Sequence, residues 1–142
     1  MSDASSTAVY EAPVRVRYAE TDQMGVVYHS NYVIWFEVGR VELLRSLGFT
    51  YLEMEADGMH LPVVEVRCRY KAPARYDDSL LIRTWIANLR GPLIKFEYEV
   101  IRADDRALLA EGESTHIVVG ADMQRTNFPD KYMIPFRTAM GG

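Results

Sequence analysis

One stretch restricts the fold more than any other. From Asn31 to Leu47 the chain has no Pro and a single Gly, Gly39, and the run Tyr32-Val33-Ile34-Trp35-Phe36 is apolar on every side of a helix. Its charges, Glu37, Arg40, Glu42 and Arg45, come only later. A helix apolar nearly all round is an interior helix, not a surface one. Ser30 is placed to cap its start and Gly48 to end it. More apolar surface is present than one sheet face can cover. The surplus calls for a second sheet or a second subunit, so the reading expects a dimer.

What surrounds this helix reads as strands. Val14-Arg15-Val16-Arg17-Tyr18 alternates apolar and basic residues, the period of a half-buried strand. A short second helix follows the first: Thr50 and Glu53 have capping-box spacing, and Gly58 closes it. From Leu61 to Tyr76 the chain alternates, with Val64, Val66, Cys68 and Tyr70 on one face and Glu65, Arg67, Arg69 and Lys71 on the other. Asp77-Asp78 marks a turn, Leu80 to Leu89 the next strand, and Gly91-Pro92 another turn. Leu93 to Arg102 and Ala107 to Gly120 complete the set, parted by Asp104-Asp105. Turn signals every ~8–14 residues with no helical pattern between them give an antiparallel meander. The expectation is an α+β chain: a sheet of about five strands curled around one long central helix.

The 142 residues suit one domain. Residues 1–12 read as a flexible N-terminus, 13–121 as the folded domain, and 122–142 as a tail that docks in part through Phe128, Tyr132, Ile134 and Phe136. A net charge of -4 argues against nucleic acid as the main partner. No apolar run reaches the ~18 residues of a membrane helix. The first twelve residues lack the apolar core of a signal peptide. The single cysteine, Cys68, allows no intramolecular disulfide. A reducing cytoplasm is therefore expected.

The chemistry concentrates between Tyr18 and Tyr32, in an acidic loop that leads straight into the interior helix. A helix start carries unpaired N–H groups and about half a positive charge, which suits an oxyanion developing at a carbonyl. Asp22, a few residues upstream, could reach the same carbon as a nucleophile, or through a water as a general base. An Asp before a helix can equally be a plain turn or cap residue, and spacing does not separate these roles.

The residues Glu20-Thr21-Asp22, Gly25-Val26-Val27-Tyr28-His29, Asn31-Tyr32, Phe36-Glu37 and Arg40 together resemble the signature of hot-dog-fold thioesterases. The branch is the 4-hydroxybenzoyl-CoA thioesterase family with its relatives, the bacterial acyl-CoA thioesterases associated with the Tol–Pal operon. Tyr70 to Asp78 resembles the same family's second strand and turn. The resemblance implies a hot-dog fold and an acyl-CoA thioesterase, working as a homodimer or homotetramer with active sites at subunit interfaces. It places the catalytic carboxylate at Asp22 and the carbonyl-polarising amide at His29, with Tyr28, Gly25 and Asn31 alongside. Met24 stands where many members carry a small residue, which would narrow the acyl pocket. Another hot-dog branch uses a glutamate on the central helix; Glu37 is expected here to hydrogen-bond and orient the loop. Coenzyme A phosphates call for basic residues. The candidates are Arg67, Arg69, Lys71 and Arg75, with Arg90 and Lys95 flanking the Gly91-Pro92 turn.

No cofactor and no metal are expected: the three histidines, His29, His60 and His116, are scattered and form no H-E-x-x-H pattern. The His29 side chain is a further candidate for contact with substrate or for proton transfer. Cys68 reads as a structural thiol, and there is no G-x-S-x-G elbow. Two alternatives remain open: a hot-dog acyl dehydratase and a non-enzymatic acyl-CoA binding module.

Overall fold

The computed structural model describes residues 7–141. In chain order come strand β1 (Tyr10–Arg15), helices α1 (Ser30–Ser46) and α2 (Tyr51–Ala56), strands β2 (Val63–Tyr70), β3 (Ser79–Arg90), β4 (Leu93–Arg102) and β5 (Leu108–Ile117), and helix α3 (Asp130–Ala139). The strands form one curved sheet in the order β1-β3-β4-β5-β2, every neighbouring pair antiparallel. Helix α1, 17 residues and so about 25 Å long, packs on its inner face. This is the expected α+β architecture.

Three boundaries differ from the sequence reading. Strand β1 lies at Tyr10–Arg15 rather than 14–18, and Tyr18 opens a 3-10 turn (Tyr18–Glu20). Residues 10–12, read as flexible, are therefore in the sheet, with Ala12 buried; residues 1–6 of that stretch lie outside the described residues. Pro13 is tolerated because β1 is an edge strand. Strand β2 is shorter than 61–76 and is the other edge. Its apolar row is not buried: Val64, Val66 and Tyr70 stay exposed, because α1 packs chiefly against β1 and β3, toward the opposite edge of the sheet. The tail forms α3, whose Tyr132 and Phe136 join Phe49 and Phe128 in an aromatic cluster. Lys131 and the Tyr132 hydroxyl both donate to Asp57, whose carboxyl they hold below its usual range.

Two glycines set how closely helix and sheet approach. A Cβ on Gly39 would lie 2.3 Å from Thr84 Oγ1 and 2.8 Å from Ile82 Cγ2. On Gly112 it would meet the Arg67 carbonyl at 2.3 Å and the Phe36 ring at 2.6 Å. Phe36 instead lies flat on Tyr98, ring centroids 4.3 Å apart. One helix turn further on, Arg40 enters the core. It donates to the hydroxyls of Tyr51 (2.7 Å) and Tyr98 (3.0 Å). The chain of bonds continues from Tyr98 through Ser114 Oγ to His116 Nε2, and ends where His116 Nδ1 meets the Leu61 carbonyl at 3.0 Å. His116 is thus a structural residue. Burial, reinforced by the positive charge of Arg40, pulls its pKa down to about 4.

Gly39→Ala should cost about 1–3 kcal/mol through overpacking, despite a helix-propensity gain of about 1 kcal/mol; the urea midpoint measures the sign. The native chain refuses a proton at His116 that the unfolded chain takes up near pH 6.5, so stability falls as pH drops from there toward about 4. Between pH 7 and 5 the loss from this residue should be about 2 kcal/mol, and His116→Gln should flatten that part of the urea-derived stability profile.

Candidate active site

The loop before α1 is a small hairpin built on its own side chains. Glu20 O accepts the N–H of Tyr28 at 2.8 Å, Thr21 pairs with Val27, and Asp22 N–H reaches Val26 O at 2.8 Å. These three rungs carry the chain from Asp22 back to the helix start. Asp22 lies two residues along the strand from the Glu20–Tyr28 rung, about 7 Å. The hairpin turns at Met24 and Gly25. Gly25 has φ +80, a left-handed conformation that glycine adopts without cost. Asp22 Oδ1 accepts the N–H groups of Met24 (2.8 Å) and Val26 (3.4 Å). Its other oxygen, Oδ2, has no protein partner among the described residues. Met24 is 79% exposed at the tip. It is not among the residues that line the two cavities beside the site.

A residue quoted for its place in the motif, but given no role from the sequence, holds this hairpin to the helix. Glu20 is buried. Its Oε1 accepts the Arg17 N–H at 2.7 Å, and its Oε2 accepts from the Trp35 indole at 3.2 Å and the Arg17 guanidinium at 3.3 Å. Its carbonyl takes the Asn31 side-chain amide at 3.0 Å. The orienting task expected of Glu37 therefore belongs to Glu20. Glu37 is exposed on α1 and makes no hydrogen bond among the described residues. Asn31 braces the loop. The only sequence signal for Glu20 is its place in the Glu20-Thr21-Asp22 run, since a buried and an exposed acid look alike in a string of letters.

The helix tip is open. His29, not Ser30, is the cap residue: its backbone is already helical (φ -56, ψ -32), and no side chain caps the end. Ser30 fails as a cap because the turn closes one residue earlier, with Asn31 N–H on Tyr28 O. The His29 N–H has no acceptor among the described residues, so it is available to a ligand. The His29 ring lies on Tyr28 (centroids 4.5 Å) and faces the edge of Tyr70 (6.3 Å). Tyr70 donates its hydroxyl to the His29 carbonyl at 3.1 Å. Desolvation, with Cys68 alongside, pushes the Tyr70 phenol up to about 12.

Two cavities flank these groups. One, about 270 Å³, lies between the helix tip and the end of β2 and is lined by Val27, Tyr32, Tyr70, Lys71, Ala72 and Pro73. Tyr32 and Tyr70 meet edge to face in its wall, 5.1 Å apart. The other, about 390 Å³, is lined by Tyr18, Ala19, Thr21, Asp22 and Gln23. Arg75 is brought to the hairpin by the Val26–Arg75 bridge, with its side chain exposed. Arg90 and Lys95 are not. Lys95 faces Thr115, which faces Glu65, whereas Tyr70 faces Ala110. That places Lys95 roughly 17 Å along the sheet from the site in the same subunit, where it pairs with Glu113 at 3.2 Å. Arg90 lies beyond it, opposite Leu93. Among the described residues no group of three or more His, Cys, Asp or Glu is placed to hold a metal ion. No described helix is long and apolar enough to cross a membrane.

A family model described as the thioesterase-like superfamily matches residues 16–136. YneP of Bacillus subtilis strain 168, whose name assigns acyl-CoA thioesterase activity provisionally, is 39% identical over 127 residues, covering 86% of this chain and 91% of that protein. The acyl-CoA thioester hydrolase YbgC of Escherichia coli O6:H1 is 39% identical over 108 residues, covering 76% of this chain and 80% of that protein. Among solved structures, a DHNA-CoA thioesterase from Staphylococcus aureus superposes with a TM-score of 0.82 at 31% identity, over 93% of this chain and 88% of that one.

Glu20→Gln puts an amide NH₂ where one carboxylate oxygen now accepts, so it should destabilise the fold by about 1–3 kcal/mol. Thermal unfolding with tryptophan fluorescence reads both the loss and the change around Trp35.

Proposed function

The chain belongs to the thioesterase-like superfamily, and from that premise we propose that it is an acyl-CoA thioesterase whose reaction runs between Asp22 and the tip of α1. The observation that carries this reading is the hairpin: its rungs bring a carboxylate with one free oxygen beside a helix start with a free N–H. The thioester oxygen takes the His29 N–H and the partial positive charge of the helix end, which stabilise the oxyanion formed on attack. Asp22 Oδ2 supplies the other half. As a general base it takes a proton from water, and the water oxygen bonds to the carbonyl carbon. As a nucleophile it forms that bond itself, giving an anhydride that water then opens. On either route the C–S bond breaks, its electron pair leaves on sulfur, and coenzyme A departs as the thiol after taking up a proton.

The cavity walled by Tyr32 and Tyr70 receives the acyl group, and Arg75, exposed beside the loop, is placed for a coenzyme A phosphate. Tyr28, half exposed, packs against His29 at the helix tip, and Gly25 closes the turn that carries Asp22. Arg90 and Lys95 can serve the nucleotide only of a neighbouring subunit's substrate, which fits a homodimer or homotetramer with sites at its interfaces. The exposed β2 edge and the exposed Val33, Ile34 and Val38 of α1 support such an assembly. The lone Cys68 fits a reducing, cytoplasmic setting. A dehydratase would want a histidine paired with an acid; the His29 ring packs at a tilt against Tyr28 and forms no ion pair among the described residues.

Asp22→Asn keeps an oxygen for the Met24 and Val26 N–H groups, so the hairpin should fold as before, while kcat for thiol release from acyl-CoAs should fall roughly 10²–10⁴-fold. A variant with full activity refutes the assignment.

A further inference from the structure

The tip of α1 lacks the side-chain cap that usually fixes a helix start. Its conformation rests on groups from outside the helix, and one comes from the sheet's free edge. Tyr70 is the last residue of β2, its backbone held in register opposite Ala110. Its ring stands edge-on to both Tyr32 (5.1 Å, 89°) and His29 (6.3 Å, 88°). From there its hydroxyl, beside Cys68, donates to the His29 carbonyl 3.1 Å away. The same carbonyl takes the Tyr32 N–H at 3.2 Å, a long bond in the first turn of the helix.

We propose that Tyr70 is a positioning residue for thioester hydrolysis, holding the His29 carbonyl so that the N–H groups on either side of it face the substrate oxygen. This inference rests on the reading of the site given above. Residue 29 sits between two peptide planes: one carries its own N–H, the other the N–H of Ser30. Fixing the carbonyl fixes the rotation of the second plane directly and restrains the first through the helical φ and ψ of residue 29. Two donors on one carbonyl also polarise that amide, strengthening its N–H by some 10–30% per bond. The phenol, with its pKa raised, stays a donor throughout the working range of a carboxylate base. Tyr70 therefore does two separable things. Its ring walls the acyl cavity, and its hydroxyl aligns the oxyanion donors.

Separability makes the test. Tyr70→Phe keeps the wall and loses only the hydroxyl. On the acyl-CoA that the wild type hydrolyses best, its kcat should fall roughly 5–30-fold, the scale of a small misplacement of a catalytic donor, with KM within about 2-fold. Its pH profile should keep the wild-type shape, because the group lost does not titrate there. Tyr70→Leu removes the ring as well and should add a rise in KM to the same fall in kcat. An unchanged kcat in Tyr70→Phe overturns the proposal, and so does a rise in KM alone, which would leave Tyr70 as wall only. A fall in kcat that merely tracks a fall in the folded fraction, read by circular dichroism, overturns it too. With Asp22→Asn inactive and Tyr70→Phe fully active, this inference alone fails. A wild type that releases thiol from no acyl-CoA removes the reading beneath it.

Discussion

A carboxylate outside the proposed chemistry sets the geometry on which that proposal depends. Glu20 lies buried under the loop with three donors on its two oxygens, from Arg17 and from Trp35, while its backbone carbonyl gathers Tyr28 and Asn31. Together these bonds tie three pieces of chain: the entry to the 3-10 turn at Arg17, the second turn of α1 at Trp35, and the start of α1 at Tyr28 and Asn31. A buried charge is tolerable only when its hydrogen bonds are complete, so the three pieces hold one arrangement and resist drift. Asp22 inherits its position from this arrangement. It sits two residues beyond Glu20 on a hairpin whose return strand must end at the helix tip.

The bland and the catalytic readings of Asp22 turn out to be compatible. One oxygen does turn work, accepting two backbone N–H groups, and thereby fixes the direction of the other. A carboxylate held this way has given up the rotational freedom that would otherwise have to be lost on the way to the transition state. Gly25 belongs to the same device: only a left-handed residue there brings Val26 back within reach of Asp22. The cavity behind the helix tip shares this economy of parts, since Tyr32 is at once core residue, cavity wall and acceptor for the Ala74 N–H.

Much of this was legible in the residues. The apolar run of α1 is too wide for a surface helix, and such runs have few other solutions. The Thr50 cap was readable because its bond to the Glu53 N–H is local in sequence. The strands of the meander alternate cleanly because each has one buried face, as β3 and β4 show. What escaped was non-local. Glu37 and Glu20 are both acids of the same motif, and nothing in the letters says which one the fold buries. Arg90 and Lys95 sit beside a turn, as expected, but which end of the sheet that turn occupies depends on strand register. Strand β2 misled in a third way: its alternation is real, yet its apolar row lies past the edge of the helix that should have covered it.

That uncovered row bears on how the site works. Val33, Ile34 and Val38 are exposed on α1, and Val64, Val66 and Tyr70 on β2. The first group includes residues within two turns of the α1 tip, and the second ends in a wall of the acyl cavity. An edge strand with unpaired N–H and C=O groups and an apolar face is a surface that water solvates poorly. Under the proposed assembly, a second subunit laid against it would do more than bury area. It would close the open side of that cavity and exclude water from the space where the proposed oxyanion forms. The electrostatic help of the helix tip grows as that space dries. The excess of apolar residues in the central helix, which first pointed to an interior position, therefore also bears on catalysis through the surface it leaves for a partner.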